Sequence, residues 1–544
     1  MKKSKELLSA FEARMKLSGR AERRWFWAAF ALLLLYVEFV IFAQNTALGY
    51  TGSPPLNVLQ AAAAIPLCFL CLLAAGRWRI SGEDRRAEDR EKLMKRIVFS
   101  AVVWALTFSI LFLCQRAYWP GGFNYDSIVQ YEEAFTESYG NWHPVLHTWL
   151  FYRLPLQIFR KPAGIVLFQI LWFSLAVTYL FYVLYTSGCP KTFLVCGWLY
   201  IAANPNTLFI MVIPGKDSAL TIVSTVVFAQ LVRIYLTKGA WLKKWDNLAS
   251  FSVFAFLTLE MRHNAMLLVI PIFVLLIVFF RSALKRIMLS ALTVFLAHLL
   301  LYGPVFTLMQ VSLPGNRTVE TTGLLMTVLS DVYVQDREAL DEETRSFMDS
   351  LAPREVWESY HLGEFNSVKG KVDLSAVENA GRLTLLRYTV NSAAARPGLA
   401  WRAFCLLTRL VWEVDSGGGW DYPPSISENP FGIYYHGNEL LRDGFHTYSA
   451  LVSAHAARYL FCYTGSVILL LLFLAVGGLG GGNLSRSLLV LAPMAYNFGT
   501  MLLLMGTDYR FFHFNFVIAV PLIYLMLRRK EASSDGEDQR SAEP

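Results

Sequence analysis

IVFSAVVWALTFSILFLCQ (97–115), followed shortly by GGFNYDSIVQYEEAFTESYGNWHPVLHTWL (121–150), decides how this chain is read. The first piece carries no charge and, at about 1.5 Å per helical residue, is long enough to cross the roughly 30 Å hydrocarbon layer. The second gathers Asp126, Glu132, Glu133, Glu137, His143 and His147 among seven aromatic side chains. An apolar span that opens directly into a polar, aromatic loop is what a site built at a membrane surface requires.

The rest of the chain has the same character. Of its 544 residues 55% are hydrophobic, 15% aromatic and only 17% charged. The apolar residues fall in long blocks, too many for a soluble protein of this size, and so define a polytopic membrane protein. The formal charge of +8 comes from Lys and Arg runs flanking those blocks. That placement sets membrane orientation and excludes a nucleic-acid-binding face. Most of the seven cysteines (Cys68, Cys71, Cys114, Cys196, Cys462 among them) lie in apolar segments, so no disulfide framework is expected outside. Cys68 and Cys71 spell CxxC without a second pair, which reads as packing.

Candidate spans are Trp25–Ala43, Val58–Gly76, Ile97–Gln115, Gly164–Thr186, Thr192–Ile213, Ser218–Leu236, Leu248–Leu259, Ala265–Phe280, Ile287–Met309, Ser449–Leu474, Ser487–Met505 and Phe512–Leu527. The expected fold class is therefore all-α and polytopic, with about twelve transmembrane helices. The first block reads as a retained anchor, because it begins too late and runs too long for a cleaved signal. Basic runs at Lys2–Arg24, Arg77–Arg96, Lys191, Lys238–Lys244, Arg281–Arg286, Arg486 and Arg528–Lys530 all fall on one side if the N-terminus is cytoplasmic. An even number of spans then puts both termini inside.

This divides the chain into a cytoplasmic lead (1–24), two helices with a basic loop (25–96) and a transmembrane core (97–309) with an outer loop at 116–163. An outer, mainly helical domain (310–448), C-terminal spans (449–530) and a disordered cytoplasmic tail (531–544) follow. Within the outer domain, 400–414 is apolar but holds Arg402 and Arg409, so it suits an interfacial helix. The helix after His143-Pro144 contains Arg153 and Pro155 and is expected to lie in the interface as well.

On this topology four outer helix mouths carry charge: Asp126; Lys216 with Asp217; Glu260 with Arg262; and Asp508 with Arg510. Their convergence on one face is the strongest sequence evidence for a site. Asp126, beside Tyr125, is the candidate base, against the bland reading of a solvated carboxylate. Glu132, Glu133 and Glu137 read as the wet face of a short helix. His143 and His147 share a helix face, but the HExxH glutamate and a third metal ligand are missing. Lys216-Asp217 reads either as a structural pair or as a phosphate-binding lysine beside an aspartate for a metal or sugar hydroxyl. Arg262 and Arg510 offer the paired donors that suit phosphate; snorkelling is the alternative for each. Trp142, Trp149, Trp412 and Trp420 are candidates for stacking on sugars, or belong to the interface belt.

The order of these motifs resembles the GT-C class of membrane glycosyltransferases, which includes protein O-mannosyltransferases and lipid A aminoarabinose transferases. In that class an acidic residue stands in the first large outer loop and a proline motif opening a juxtamembrane helix follows. Asp126 and His143-Pro144-Val145-Leu146 resemble these, Asp217 resembles a second-loop acid, and Tyr509-Arg510 with Pro521 resemble a late Arg-Tyr pair in reversed order. The resemblance covers mainly Ile97–Leu236 and the last helix; the usual adjacent acidic pair is absent, since Ser127 follows Asp126.

The resemblance implies transfer of a sugar from a polyprenyl-phosphate-linked donor to an extracytoplasmic acceptor: a cell-envelope glycan, lipid or protein. It also implies a bacterial plasma-membrane location with the active site outside. Asp126 and His143 would be catalytic, and Lys216, Arg262 and Arg510 would bind the donor phosphate. Asp217, Glu260, Tyr125 and His147 would meet substrate or a divalent cation (Mg or Mn), which the motifs do not demand. The rival reading is a multipass transporter or lipid flippase, although transporters usually hold their polar groups near the midplane of broken helices.

Overall fold

Apolar runs bounded by glycine, proline and charge become helices throughout the computed structural model. It describes residues 20–49, 54–77, 80, 90–313, 317–479, 483–503, 505–506 and 508–528, together with residues 9, 11–13, 15 and 17. Most of the 1–24 lead, much of the 77–96 basic loop and the whole 531–544 tail lie outside the described residues. Among those described, the architecture is all-helical, with isolated bridges and no strand. Six helices are long and apolar enough to cross a membrane, and a bent pair makes a seventh candidate. This is consistent with a membrane protein.

The chain opens with α1 (Arg20–Ala47) and α2 (Pro54–Arg77), then α3 (Arg90–Ala117). After the loop comes α4 (Tyr125–Thr136), and then a helical segment at 145–159 with a π turn in its middle. α5 (Pro162–Thr186) leads to a pair, α6 (Lys191–Ala202) and α7 (Pro205–Met211). The sequence reading of one continuous span over Thr192–Ile213 is corrected here: the two halves meet at 58°. Asn204-Pro205 causes the break, because Pro205 has no N–H to continue the ladder and the Asn204 side chain caps α7 instead.

α8 (Lys216–Leu236) is the axis of the bundle, buried on nearly every face and packed against α5 and α9 (Trp245–Met261). Its Ser218 and Gln230 side chains bond to the Ile210 carbonyl and to Ser250 inside the bundle, which suits a helix enclosed by protein rather than turned to lipid. α10 (Met266–Phe279) and α11 (Leu284–Leu300) follow, and α11 continues through a π turn containing Pro304 to Leu308. Leu292, Phe295, Leu296, Leu299 and Leu300 on α11 stand exposed, as expected of a face turned to lipid.

A second core (Met326, Leu329, Met348, Trp357, Phe365 and Val377 among others) is built from residues 319–388 and is joined by Met505. It is built on α12 (Gly323–Gln335) and α13 (Leu374–Ala395). α14 (Pro397–Trp412), read from sequence as interfacial, packs against α1 and α12, and its Trp412 is fully buried rather than belonging to an interface belt.

The expected span Ser449–Leu474 is two helices, α15 (Glu439–Ala454) and α16 (Thr464–Leu479). The corner between them is polar: Arg458 and Tyr459 both donate to Asp415, at 3.1 and 2.7 Å, which docks the glycine-rich 415–420 loop. The expected outer-domain limit at 448 therefore falls inside α15. α17 (Leu491–Leu503) and α18 (Phe514–Leu527) are the last long helices among the described residues, and α18 packs against α8 and α16.

Candidate functional site

Pro214 is the joint around which the site assembles. Its carbonyl accepts from Ser127 Oγ at 2.6 Å and from Tyr152 OH at 2.7 Å. Those two bonds tie α4 and the 145–159 segment to the N-terminus of α8. Asn124 caps α4 by accepting from the Ser127 N–H at 3.0 Å. The preceding loop is pinned from both sides, by Gly122 N–H to the Val212 carbonyl at 2.9 Å and Phe123 N–H to the Ser425 carbonyl at 2.7 Å. Asp508 caps the turn before α18 by accepting from the Arg510 N–H at 3.1 Å. Two caps, Asn124 and Asp508, together with the bonds to the Pro214 carbonyl thus aim three separate helix mouths at one point.

At that point Asp126 Oδ2 lies 2.9 Å from Arg510 Nη2 and 3.6 Å from Lys216 Nζ. Lys216 also donates to His143 Nδ1 at 3.3 Å. Arg510 Nε faces Asp508 at 2.9 Å and Asp217 at 3.4 Å. Arg262 closes the cluster, pairing with Asp217 and lying 4.3 Å over the Phe511 ring. Three carboxylates and three cations therefore balance, which is what allows so many charges to leave bulk water together.

Exposure divides the cluster in two. The side chains of Asp126, Lys216, Arg510 and Asp508 keep 26%, 18%, 15% and 21% of their surface, whereas Asp217 and Arg262 keep 2% and 7%. The first four are reachable by a ligand; the last two form a buried support. Burial alone would raise the Asp126 carboxyl, but Lys216 and then Arg510 overrule it and hold the group ionised, well below the usual carboxylate range. His143 moves the opposite way: burial first, then Lys216, lowers it to about 3, so it is a neutral imidazole at neutral pH and accepts from the lysine.

Several residues expected at the site stand elsewhere. Tyr125 points outward and is exposed. His147 is buried and faces Gln130 Nε2 at 2.8 Å, while His143 stands before the helix that opens at Val145, so the two histidines share neither a helix face nor a partner. Glu260 turns toward α11 and meets His298 at 2.6 Å. Arg262 is committed to Asp217, which makes it a supporting cation rather than an open phosphate ligand. Glu133, assigned from sequence to the wet face with Glu132 and Glu137, is half-buried, and its carboxyl accepts from the Gly140 N–H at 3.0 Å. Glu132 and Glu137 are exposed, as expected.

The donor set does not suit a metal. Among the described residues no three His, Cys, Asp or Glu groups come together as ligands. Both Asp217 oxygens already face guanidinium groups.

Sequence reasoning placed Asp508 at the Arg510 mouth without giving it a role, and left Tyr422 out of the site. Tyr422 stands under Arg510, ring centroid 5.9 Å from the guanidinium carbon, with its hydroxyl 3.4 Å from Asn124 Nδ2. Asp508 had a local signal, an Asp two residues before an Arg at a helix start; Tyr422 had none. Comparison with protein-family models, with curated proteins and with solved structures found no match.

Proposed function

We propose that this chain is a membrane glycosyltransferase that takes a sugar from a polyprenyl-phosphate-linked donor and passes it to a hydroxyl acceptor, within an architecture of the GT-C kind. The observation that carries the reading is the partly open trio of Asp126, Lys216 and Arg510, in which one ionised carboxylate sits between two cations at a helix mouth.

A carboxylate held so far below its usual range is a weak base while the cations remain on it. A donor phosphate arriving at Lys216 and Arg510 would share those cations and release Asp126 toward ordinary basicity. Asp126 would then take the proton of the acceptor hydroxyl as its oxygen attacks the anomeric carbon. The bond from that carbon to the phosphate oxygen breaks, and the polyprenyl phosphate leaves with the electron pair. Lys216 and Arg510 oppose the charge that develops on it. Neutral His143, accepting from Lys216, orients the ammonium.

Transport is favoured by one observation, the 58° break between α6 and α7, since broken helices mark many transporter sites. Here the break is filled from within: Asn206 Nδ2 donates to the Trp420 carbonyl at 2.9 Å, and Asn206 Oδ1 accepts from the Tyr422 N–H at 3.0 Å.

The deciding experiment follows release of polyprenyl phosphate in proteoliposomes from a panel of polyprenyl-phosphate sugars, with wild type beside Asp126→Asn. Release that depends on Asp126 is the expected result and names the donor. No release from any donor, together with lipid or solute flux across the same vesicles, would transfer the assignment to transport.

A further inference from the structure

A groove of about 410 Å³ runs between α9 and α11 and is lined by none of the residues of the charged cluster. Trp245, Ala249, Val253 and Phe256 form one wall, and Leu289 and Ala297 stand on the other. Buried Ser252 and exposed Thr293 also line it, and both hydroxyls already spend their hydrogen. Ser252 Oγ donates to the Leu248 carbonyl at 2.9 Å and meets Ser290 Oγ at 2.8 Å, while Thr293 Oγ1 donates to the Leu289 carbonyl at 2.9 Å. Each hydroxyl spends its one hydrogen on its own helix, so among the residues lining the groove the side chains offer no free donor, only leftover acceptor lone pairs, to a water that needs two or more partners. The groove suits a hydrocarbon chain.

One end of the groove is strongly basic. The loops entering α9 and α11 touch one another, and Ser282 Oγ reaches the Lys238 carbonyl at 3.5 Å. Residues 238–247 and 281–286 together hold Lys238, Lys243, Lys244, Arg281, Lys285 and Arg286 against the single acid Asp246. Arg286 lies 3.8 Å over the Trp245 ring at the mouth, so a cation and an aromatic ring frame the entrance. From Trp245 to Phe256 the helix rises about 16 Å, close to the roughly 15 Å of one bilayer leaflet.

From this geometry we infer that the α9–α11 groove binds an anionic glycerophospholipid, its headgroup at Trp245 and Arg286 and one acyl chain laid along Ala249, Val253 and Phe256. The inference does not depend on the proposed transferase activity. A positive loop that only orients the chain would attract acidic lipid by surface charge and would be indifferent to the shape of the groove.

The test reconstitutes the full chain in nanodiscs of phosphatidylglycerol and phosphatidylcholine, transfers it to detergent and counts retained lipids by native mass spectrometry. Wild type should keep phosphatidylglycerol in preference. Lys244→Gln with Arg286→Gln should reduce that preference, by about five-fold for each cation that contacts the headgroup. Ala249→Phe and Ala297→Phe, which fill the groove from opposite walls, should each abolish retention while leaving every cation in place. Equal retention of the two lipids by wild type would overturn the inference. So would full phosphatidylglycerol retention by either filled variant whose thermal unfolding matches wild type, because charge alone would then suffice.

Discussion

Arg510 and Asp126 are 384 residues apart in the chain and 2.9 Å apart in space. Around that pair the first outer loop and the last helix become one site, because the same guanidinium also faces Asp508 and Asp217. Arg510→Ala would strip a shared cation from three carboxylates, and breaking a buried pair from one side costs on the order of 3 kcal/mol. The expected result is a lower unfolding temperature of the detergent-solubilised protein, partly recovered by Arg510→Lys, which keeps the charge but not the planar fork. Adding Asp126→Asn to Arg510→Ala should restore some stability. If the double variant is no better than Arg510→Ala, the two groups are not coupled.

Asp217 and Arg262 make a second test, independent of any substrate. Both are buried and paired, and Arg262 also covers Phe511. Either single neutralisation, Asp217→Asn or Arg262→Gln, should cost about 3 kcal/mol, whereas neutralising both should cost less than the sum. Additive losses in thermal unfolding would mean that the pair contributes nothing as a pair. Asp126 and Lys216, the more open groups, should respond differently, losing turnover before stability.

The charged mouths were legible in the sequence because a membrane makes polar residues rare and sets them at helix ends, where Asp126, Lys216, Asp217 and Arg510 all stand. What lay beyond reach was direction. Glu260 and Arg262 are two residues apart, yet one faces His298 and the other Asp217, since the chain turns extended at Arg262 (φ −149°) where α9 ends. Tyr422 reaches the site because a glycine- and proline-rich stretch returns to pair Ile426 with Phe123, a contact across about three hundred residues with no local pattern. The break at Asn204-Pro205 carried a turn signal that the apolar run around it masked. The same masking hid the polar corner between α15 and α16, where His455 and Arg458 interrupt an otherwise apolar stretch.

Two carboxyls near the site should give stability profiles of opposite sign. Burial raises Glu133 from an ordinary 4.5 to about 7, against donors from Gly140 and Thr148 that oppose the rise. Between those values the folded chain holds a proton that the unfolded chain has released. Its contribution is therefore complete below 4.5 and lost as pH rises through about 7. Asp126 is shifted downward, so its contribution is present above the ordinary carboxylate range and lost as pH falls below it. Glu133→Gln should flatten the decline toward neutral pH and gain roughly 1–2 kcal/mol at pH 8, allowing for the group's partial exposure. Unfolding midpoints of wild type and variant measured from pH 4 to 8 would decide; parallel curves would rule Glu133 out as the source.

Gly121 links the fold to the chemistry most directly. Its φ of +136° is a conformation that other residues rarely adopt, and a Cβ there would stand 2.5 Å from Val166 Cγ2 and 2.8 Å from the Val212 carbonyl oxygen. The neighbouring Gly122 N–H bonds that same carbonyl, so the loop carrying Asp126 lies directly on the strip of backbone that delivers Pro214, Lys216 and Asp217. Gly121→Ala should cost about 2 kcal/mol or more through backbone strain and overpacking together. Because the displacement separates Asp126 from Lys216, any transferase activity should fall further than the stability loss accounts for, and should not return on cooling to temperatures where the variant is fully folded. Cysteines placed at Tyr125 and Gly215 in wild type and variant, which leave Asp126 and Lys216 in place, followed by spin-label distance measurement, would read the separation itself. An unchanged distance in a folded, inactive variant would show that Gly121 acts on the site by some route other than the spacing of these two mouths.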